Sequence, residues 1–240
     1  MIKYFSVCIF FFIFSHGAIA QYSFSCDSIN TSNGSLIIYF IGHGTLMFEY
    51  QKQVIHVDPW SKLTEYQNLP KADIILLTHH HPDHFDTNAI TLISKSKTKI
   101  IVTSSIFDIF HRGKILRNYD TTVINGIKII AVPAYNITEG RDKFHPKERD
   151  NGYILSIGGK RIYIAGDTEN ISEMKSLGKI NIAFLPMNQP YTMLPAQLAD
   201  AARNINPEIL YPYHFGDTDT TGLRKLLSGT NIDLRFRSMK

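Results

Sequence analysis

Residues 76–86 read LLTHHHPDHFD and continue the apolar pair Ile74-Ile75. Four apolar residues in a row suit a short strand covered on both faces. The run then stops in four imidazoles and two carboxylates within eight positions, 79–86. A buried polar group left without a partner costs roughly 1–3 kcal/mol. The chain can therefore bury this strand only if its end opens on solvent or on something the side chains share. The spacing is His79-x-His81-x-Asp83-His84. On a loop leaving a strand, residues two apart project the same way, so His79 and His81 can address one point. Asp83 and His84 fall a turn later and can address a second. Imidazole nitrogen and carboxylate oxygen are the donors that borderline divalent cations prefer. A solvated histidine-rich loop is the plainer alternative.

The rest of the chain repeats one pattern twice. Strand-like segments at 36–41, 46–50 and 54–57 are separated by turn residues, and the short strand 74–77 follows them. A helix is expected from Asp86 or Thr87, one of which is its N-cap, to Ser94. Strand 100–103 and a helix over 105–110 come next. The second half opens with hairpins turning at Asn125-Gly126 and at Gly158-Gly159. It continues with a helix near 171–177, strand 182–185, a helix from Pro195 to about Asn204, strand 209–213, a helix over 220–227 and a strand over 232–236. Hairpins followed by strand-helix alternation, in both halves, predict an α/β fold of two packed sheets with helices outside. A core of this size is within reach of 240 residues that are 44% hydrophobic. No linker or low-complexity tract divides the chain, so residues 35–240 are expected to form one domain.

Residues 1–20 differ in kind. A positive start (Met1-Ile2-Lys3) leads into an apolar run over 4–14 and the small-x-small triplet Ala18-Ile19-Ala20. This pattern predicts a secretory signal peptide cleaved near Ala20, with the mature protein secreted or periplasmic and lacking a membrane span. Residues 21–34, rich in Ser and Asn, are expected to form a flexible lead-in. Cys8 lies in the signal and Cys26 is the other cysteine, so the mature chain is expected to hold no internal disulfide. The net charge of +4 is small and scattered. Its densest clusters, Lys95-Lys97-Lys99 and Arg235-Arg237, are taken as solvated faces, and no nucleic-acid partner is expected.

The H-x-H-x-D-H spacing resembles the signature of the metallo-β-lactamase fold superfamily, and further segments match in order. IGHGTLMFEY (41–50) resembles the G-H-x-T opening of the branch that includes ascorbate-phosphate lactonases and N-acylphosphatidylethanolamine phospholipase D. IHVDPW (55–60), YIAGDT (163–168) and LYPYHFGDTD (210–219) resemble segments that complete the site. The resemblance implies an αββα sandwich of two mixed β-sheets flanked by helices, and two divalent metal ions, zinc above all, with manganese or iron as alternatives. Carried over by position, His79 and His81 would hold the first ion. Asp83, His84 and His214 would hold the second, with Asp167 bridging. The family places a further first-site histidine where this chain has Asn136, in VPAYN (132–136). Either His145 replaces it, as ligand or substrate contact, or Asn136 leaves that site weak. His43 is expected beside the ligands or on the substrate side, and Asp58 is expected to orient a ligand imidazole. His56 reads as a satisfied strand residue, and His111 as surface.

The implied reaction is hydrolysis, with Asp83 and Asp167 as the catalytic carboxylates. Bound zinc lowers the pKa of water from about 15.7 to about 7, and the resulting hydroxide attacks carbon or phosphorus. Neither a G-x-S-x-G elbow nor a cysteine with a partner occurs, so no side-chain nucleophile competes with this chemistry. The expected substrate is a small ester, lactone or phosphodiester. Tyr135, Asn188, Tyr191 and Tyr213 are substrate-side candidates, with Met193 beside them. A β-lactamase in the strict sense, or a non-catalytic metal- or ligand-binding module, are the alternatives. The residues say nothing of oligomeric state.

Overall fold

The structure is a computed structural model that describes residues 24–239; the export signal expected over 1–20 lies outside them. The first half of the chain forms β1 (Ser25–Thr31), β2 (Gly34–Gly42), β3 (Thr45–Tyr50), β4 (Gln53–Val57), β5 (Ile74–Leu76), α1 (Thr87–Ile93), β6 (Lys99–Val102), α2 (Ser104–Phe110) and β7 (Lys114–Ile115). The second half forms β8 (Thr121–Ile124), β9 (Ile127–Ala134), β10 (Asp150–Ile157), β11 (Lys160–Ile164), β12 (Ile182–Pro186), α3 (Pro195–Ile205), β13 (Ile209–Tyr213), α4 (Leu223–Leu226) and β14 (Asp233–Leu234).

Each half makes one seven-stranded sheet in chain order, β1 to β7 and β8 to β14. In both, the first strands pair antiparallel, through hairpins except for β9 and β10, which the loop 135–149 joins, and the later ones pair parallel through crossovers. The physical reason is the connection length. Asn125-Gly126 and Gly158-Gly159 supply the positive φ that a tight turn needs, whereas the longer linkers carry helices that bring the chain back to start a parallel neighbour.

The pleat sorts the side chains. On β2, Leu36, Ile38 and Phe40 enter the layer between the sheets, and Tyr39 and Ile41 enter a second cluster with Ala89, Ile90 and Ile93 of α1 and Ile106 of α2. Across the inter-sheet layer Phe184 of β12 meets Phe40 (6.3 Å) and Phe48 (6.0 Å). Each such buried ring contributes about 1.5–3 kcal/mol, so the sandwich stands on its apolar layers and not on its polar rim. Asp86 caps α1, its side chain accepting from the N–H groups of Asn88 and Ala89. The αββα sandwich expected from the sequence is the fold observed.

Four expectations need correction. Residues 25–31 of the supposed flexible lead-in form edge strand β1, paired with β2 along its length. Only Ile29 of β1 is buried, so a strand with a single neighbour carries the polar composition of a loop. The arginines taken as a solvated face hold that strand: Arg235 and Arg237 both pair with Asp27, which also accepts from the Tyr211 hydroxyl. The helix expected over 171–177 is a single 3₁₀ segment, Ser172–Ser176, and the one expected over 220–227 shortens to Leu223–Leu226.

Candidate metal centre

The carboxyl ends of the parallel strands and the β2–β3 turn open on one rim, the usual place for a site in a sheet of this kind. Asp58 follows β4, Thr78 and His79 follow β5, Asp167 follows β11, and His214 follows β13. His43 sits in the β2–β3 turn with φ of 50°. Gly44 beside it has no room for a side chain, since a Cβ there would lie 2.6 Å from Cε1 of His84.

Hydrogen bonds fix the imidazoles one by one. The Asp58 carboxylate accepts from the Thr78 backbone N–H (2.8 Å), the Thr78 hydroxyl (2.6 Å) and Nδ1 of His84 (2.8 Å). Having given its proton to Asp58, the Thr78 hydroxyl can only accept from Nδ1 of His79 (2.9 Å). Nδ1 of His145 donates to Asp150 (3.1 Å), whose carboxylate is gripped by Arg149. Each of these three rings therefore points its Nε2 inward. Those Nε2 atoms, both ring nitrogens of His214 and Oδ1 of Asp167 are buried without a hydrogen-bond partner.

The donor atoms gather in three overlapping groups: His79, His81 and His145; His43, Asp83, His84 and His214; and His79, His84 and Asp167. Within each group they lie within 4.8 Å of one another. Asp167 stands between the first two groups, its oxygens 3.6 Å from Nε2 of His84, 3.5 Å from that of His145 and 3.4 Å from that of His214. Six orphaned polar atoms in one buried cluster are an unfavourable arrangement that divalent cations would relieve, and nitrogen and carboxylate donors suit them. The residues fit the ions.

Electrostatics agree. Burial pushes His79 far below its ordinary range, helped by the neighbouring imidazoles, and His81 down to about 4. Both rings are neutral, as ligands must be. Burial also disfavours charge on Asp83 and Asp167, yet the surrounding histidines outweigh it and hold both carboxyls low. His84, buried among Asp167, Asp58 and Asp83, is pulled up to about 10. Without a cation, a proton on His84 offsets the carboxylates; a cation would take over that task.

Asn136 and His145 part company here. His145 joins His79 and His81, whereas Asn136 is a fastener. Its backbone N–H donates to the His145 carbonyl (2.9 Å), and its side-chain amide donates to the carbonyls of Tyr191 (2.7 Å) and Arg141 (3.2 Å). His43 donates Nε2–H to Asp83 at 2.9 Å and packs 3.8 Å from the His214 ring. Asn188 and Tyr191 line the cavity of about 460 Å³ above the cluster. Tyr135 and Tyr213, expected on the substrate side, do not. The Tyr135 hydroxyl turns away to Glu173, and Tyr213 is buried with its hydroxyl on the Gly166 carbonyl. Met193 is likewise buried in the core. His56 is buried and bonded to the Pro70 carbonyl, apart from the site.

Several residues at the site carry no sequence signal. Asp150 orients His145 from the start of β10. Phe144 lines the cavity. Glu169, fully buried, accepts from the backbone N–H groups of Ile137 (2.8 Å) and Thr138 (2.7 Å) and so ties down the loop that bears His145. An acidic residue next to the GDT turn was the one available hint.

Comparison with known proteins gives the family. The Beta-lactamase superfamily domain matches residues 37–214. A UPF0173 metal-dependent hydrolase of Thermococcus kodakarensis is 31% identical over 191 residues, spanning 74% of this chain and 84% of the relative. A crystal structure from Parabacteroides distasonis, of a protein assigned as a metal-dependent hydrolase, superposes with a TM-score of 0.89 at 52% identity, covering 90% of this chain and all of that one. Igni18, a metallo hydrolase from Ignicoccus hospitalis, shares the fold at 24% identity and a TM-score of 0.71, over 84% of this chain and 94% of its own. The chain belongs to the metallo-β-lactamase superfamily and is one of its metal-dependent hydrolases.

Proposed function

We propose that this hydrolase cleaves a small ester, lactone or phosphodiester with two divalent cations, zinc in the first instance, at the rim cluster. His79, His81 and His145 hold one; His84, Asp83 and His214 hold the other; Asp167 reaches both. The observation that carries this reading is the set of inward, partnerless Nε2 atoms, each fixed by an oxygen behind it, around one shared carboxylate. Cations bound there would supply Lewis acidity and lower the pKa of a water molecule to about 7.

The chain's own groups do the rest. Thr78, Asp58 and Asp150 keep Nδ1 protonated on His79, His84 and His145, which leaves Nε2 free as a donor atom. Asp83 is the less buried of the two carboxylates, 30% exposed against 4% for Asp167. With its Oδ2 on His43, it lines the cavity as an ionised acceptor that can orient a water or a substrate hydroxyl. Phe144, Tyr191 and Pro82 give the cavity apolar walls, and Asn188 offers an amide to a substrate oxygen.

Export to the periplasm or medium, after cleavage near Ala20, is part of the same proposal. No helix of the described residues is long and apolar enough to cross a membrane. The test is metal analysis of the purified mature chain, with its intact mass, alongside a panel of lactones, aryl esters and activated phosphodiesters. Two ions per chain and turnover on one class would support the proposal. A metal-free chain, or one that turns over none of them when loaded, would overturn it.

A further inference from the structure

A second groove, of about 690 Å³, runs beside the histidine cavity, and the two share His43, Pro82 and Asp83 as a common wall. Trp60, Ser61 and Lys62, from the loop after β4, form its far side. Phe85 and Asp86, just before α1, also line it.

Its polar groups are unequally engaged. The Asp86 carboxylate accepts from the Ser61 backbone N–H (2.8 Å), the Ser61 hydroxyl, and the N–H groups of Asn88 (2.9 Å) and Ala89 (3.2 Å). Its charge is thus absorbed locally, and so is the Ser61 hydroxyl. Lys62 is different. It makes no ion pair among the described residues, and its Nζ sits 5.4 Å from the centre of the Trp60 ring. Trp60 is partly exposed, and its backbone N–H is anchored on the buried Tyr66 hydroxyl (2.9 Å). Its ring centre lies 5.2 Å from that of His43, which in turn packs on His214. A partly exposed indole packed on His43, with an ammonium group in no ion pair 5.4 Å from its centre, is a platform for a flat ring with an anion at its edge.

We propose that this groove binds the part of the substrate remote from the reacting bond, and that this part is a flat ring bearing a negative charge. The ring lies against Trp60 and the charge meets Lys62. Pro82 and Asp83 then lie between the ring and the bond to be cleaved. The assignment of the groove to substrate rests on the hydrolase reading of the adjoining cavity; the chemistry of the groove does not.

Trp60 is the single tryptophan of the chain, so its fluorescence reports on the groove directly. The probes are benzenesulfonate and its uncharged counterpart, benzyl alcohol, titrated into the full metal-loaded chain. A sulfonate is a weak ligand for divalent cations, so the preference reads Lys62 and not the metals. Benzenesulfonate is expected to shift the Trp60 emission saturably and to bind about three- to fivefold more tightly than the alcohol, as one exposed charge pair gives. Lys62→Met should remove that preference, and added salt should erode it. Equal binding of the two probes, an emission that neither changes, or a preference that survives Lys62→Met would overturn the proposal. Repeating the titration on Asp167→Ala separates the two readings. A sulfonate preference retained there leaves the groove's chemistry standing, even if metal content and hydrolysis prove the hydrolase reading wrong.

Discussion

His214 directly follows β13 and Asp167 stands just past β11, whereas His145 hangs in the middle of the loop 135–149. The donors around His84 and His214 thus inherit the stiffness of two sheets packed through Phe40, Phe48 and Phe184. The group of His79, His81 and His145 owes its third member to fastenings within and around a loop: Asp150 on Nδ1, the Asn136 backbone N–H on the His145 carbonyl, Glu169 on the loop's backbone, and Arg149 on the Phe144 carbonyl (2.7 Å). A replacement ligand on a loop must be ordered at a conformational cost of about 1–2 kcal/mol per fixed residue. The buried bonds of Glu169 and Asn136 offset it.

The largest effect should come from removing what the two groups share. Asp167→Ala is expected to lower metal content at both and to cut turnover by more than the roughly 10–100-fold that loss of an outer partner costs. Circular dichroism should stay unchanged, because the core does not involve this residue. Two ions per chain in that variant would break the idea of a shared carboxylate.

Next in size is the contrast between the groups themselves. His145→Ala should empty the first and spare the second, and His214→Ala should do the reverse, as read by metal stoichiometry per chain. If both variants lose the same ion, the division into two groups is wrong. Glu169→Gln tests the loop's fastening: first-group affinity should fall by about 10-fold, the low end for an indirect partner, with the second group untouched. Faster hydrogen exchange confined to 137–149 should accompany it. Unaltered affinity would mean that the loop holds itself.

The smallest effect lies far from the site. Burial opposes ionisation of Asp27, but its bonds to Arg237, Tyr211 and Arg235 prevail and hold its carboxyl below the ordinary value. A carboxyl depressed in the folded state stabilises above its unfolded pKa of about 3.9, and that stability disappears as pH falls through the lower folded value. Asp27→Asn should therefore cost roughly 1 kcal/mol at neutral pH, a solvent-screened figure. The gap from the parent should close below about pH 4. A gap constant with pH in denaturant melts would show that β1 is held by packing and not by charge.

The site is legible in the sequence where its residues share a loop or a strand-end string, and illegible elsewhere. H-x-H-x-D-H places its residues within one loop, so the spacing itself reports their proximity. Asp58, Asp167 and His214 were found because they stand at strand ends within recognisable strings. Asp150 and Glu169 carry no such string: one begins a strand, the other ends a turn, and their partners are backbone groups and a loop histidine. Tyr135 and Tyr213 failed for the opposite reason. Each neighbours a site residue in sequence, but Tyr213 is sent into the core by the alternation of β13 and the Tyr135 hydroxyl turns away to Glu173.

Periodicity, turn chemistry and the H-x-H-x-D-H string are properties of short stretches, and from them the sequence alone determined the two-sheet sandwich and the rim at which its polar residues collect. Which imidazole stands in for Asn136, and which carboxylates steady it, only the tertiary structure decided. His145 comes within about 5 Å of His79 and His81 because the loop 135–149 is fastened to groups on distant strands. No local pattern encodes a contact closed over so long a stretch of chain.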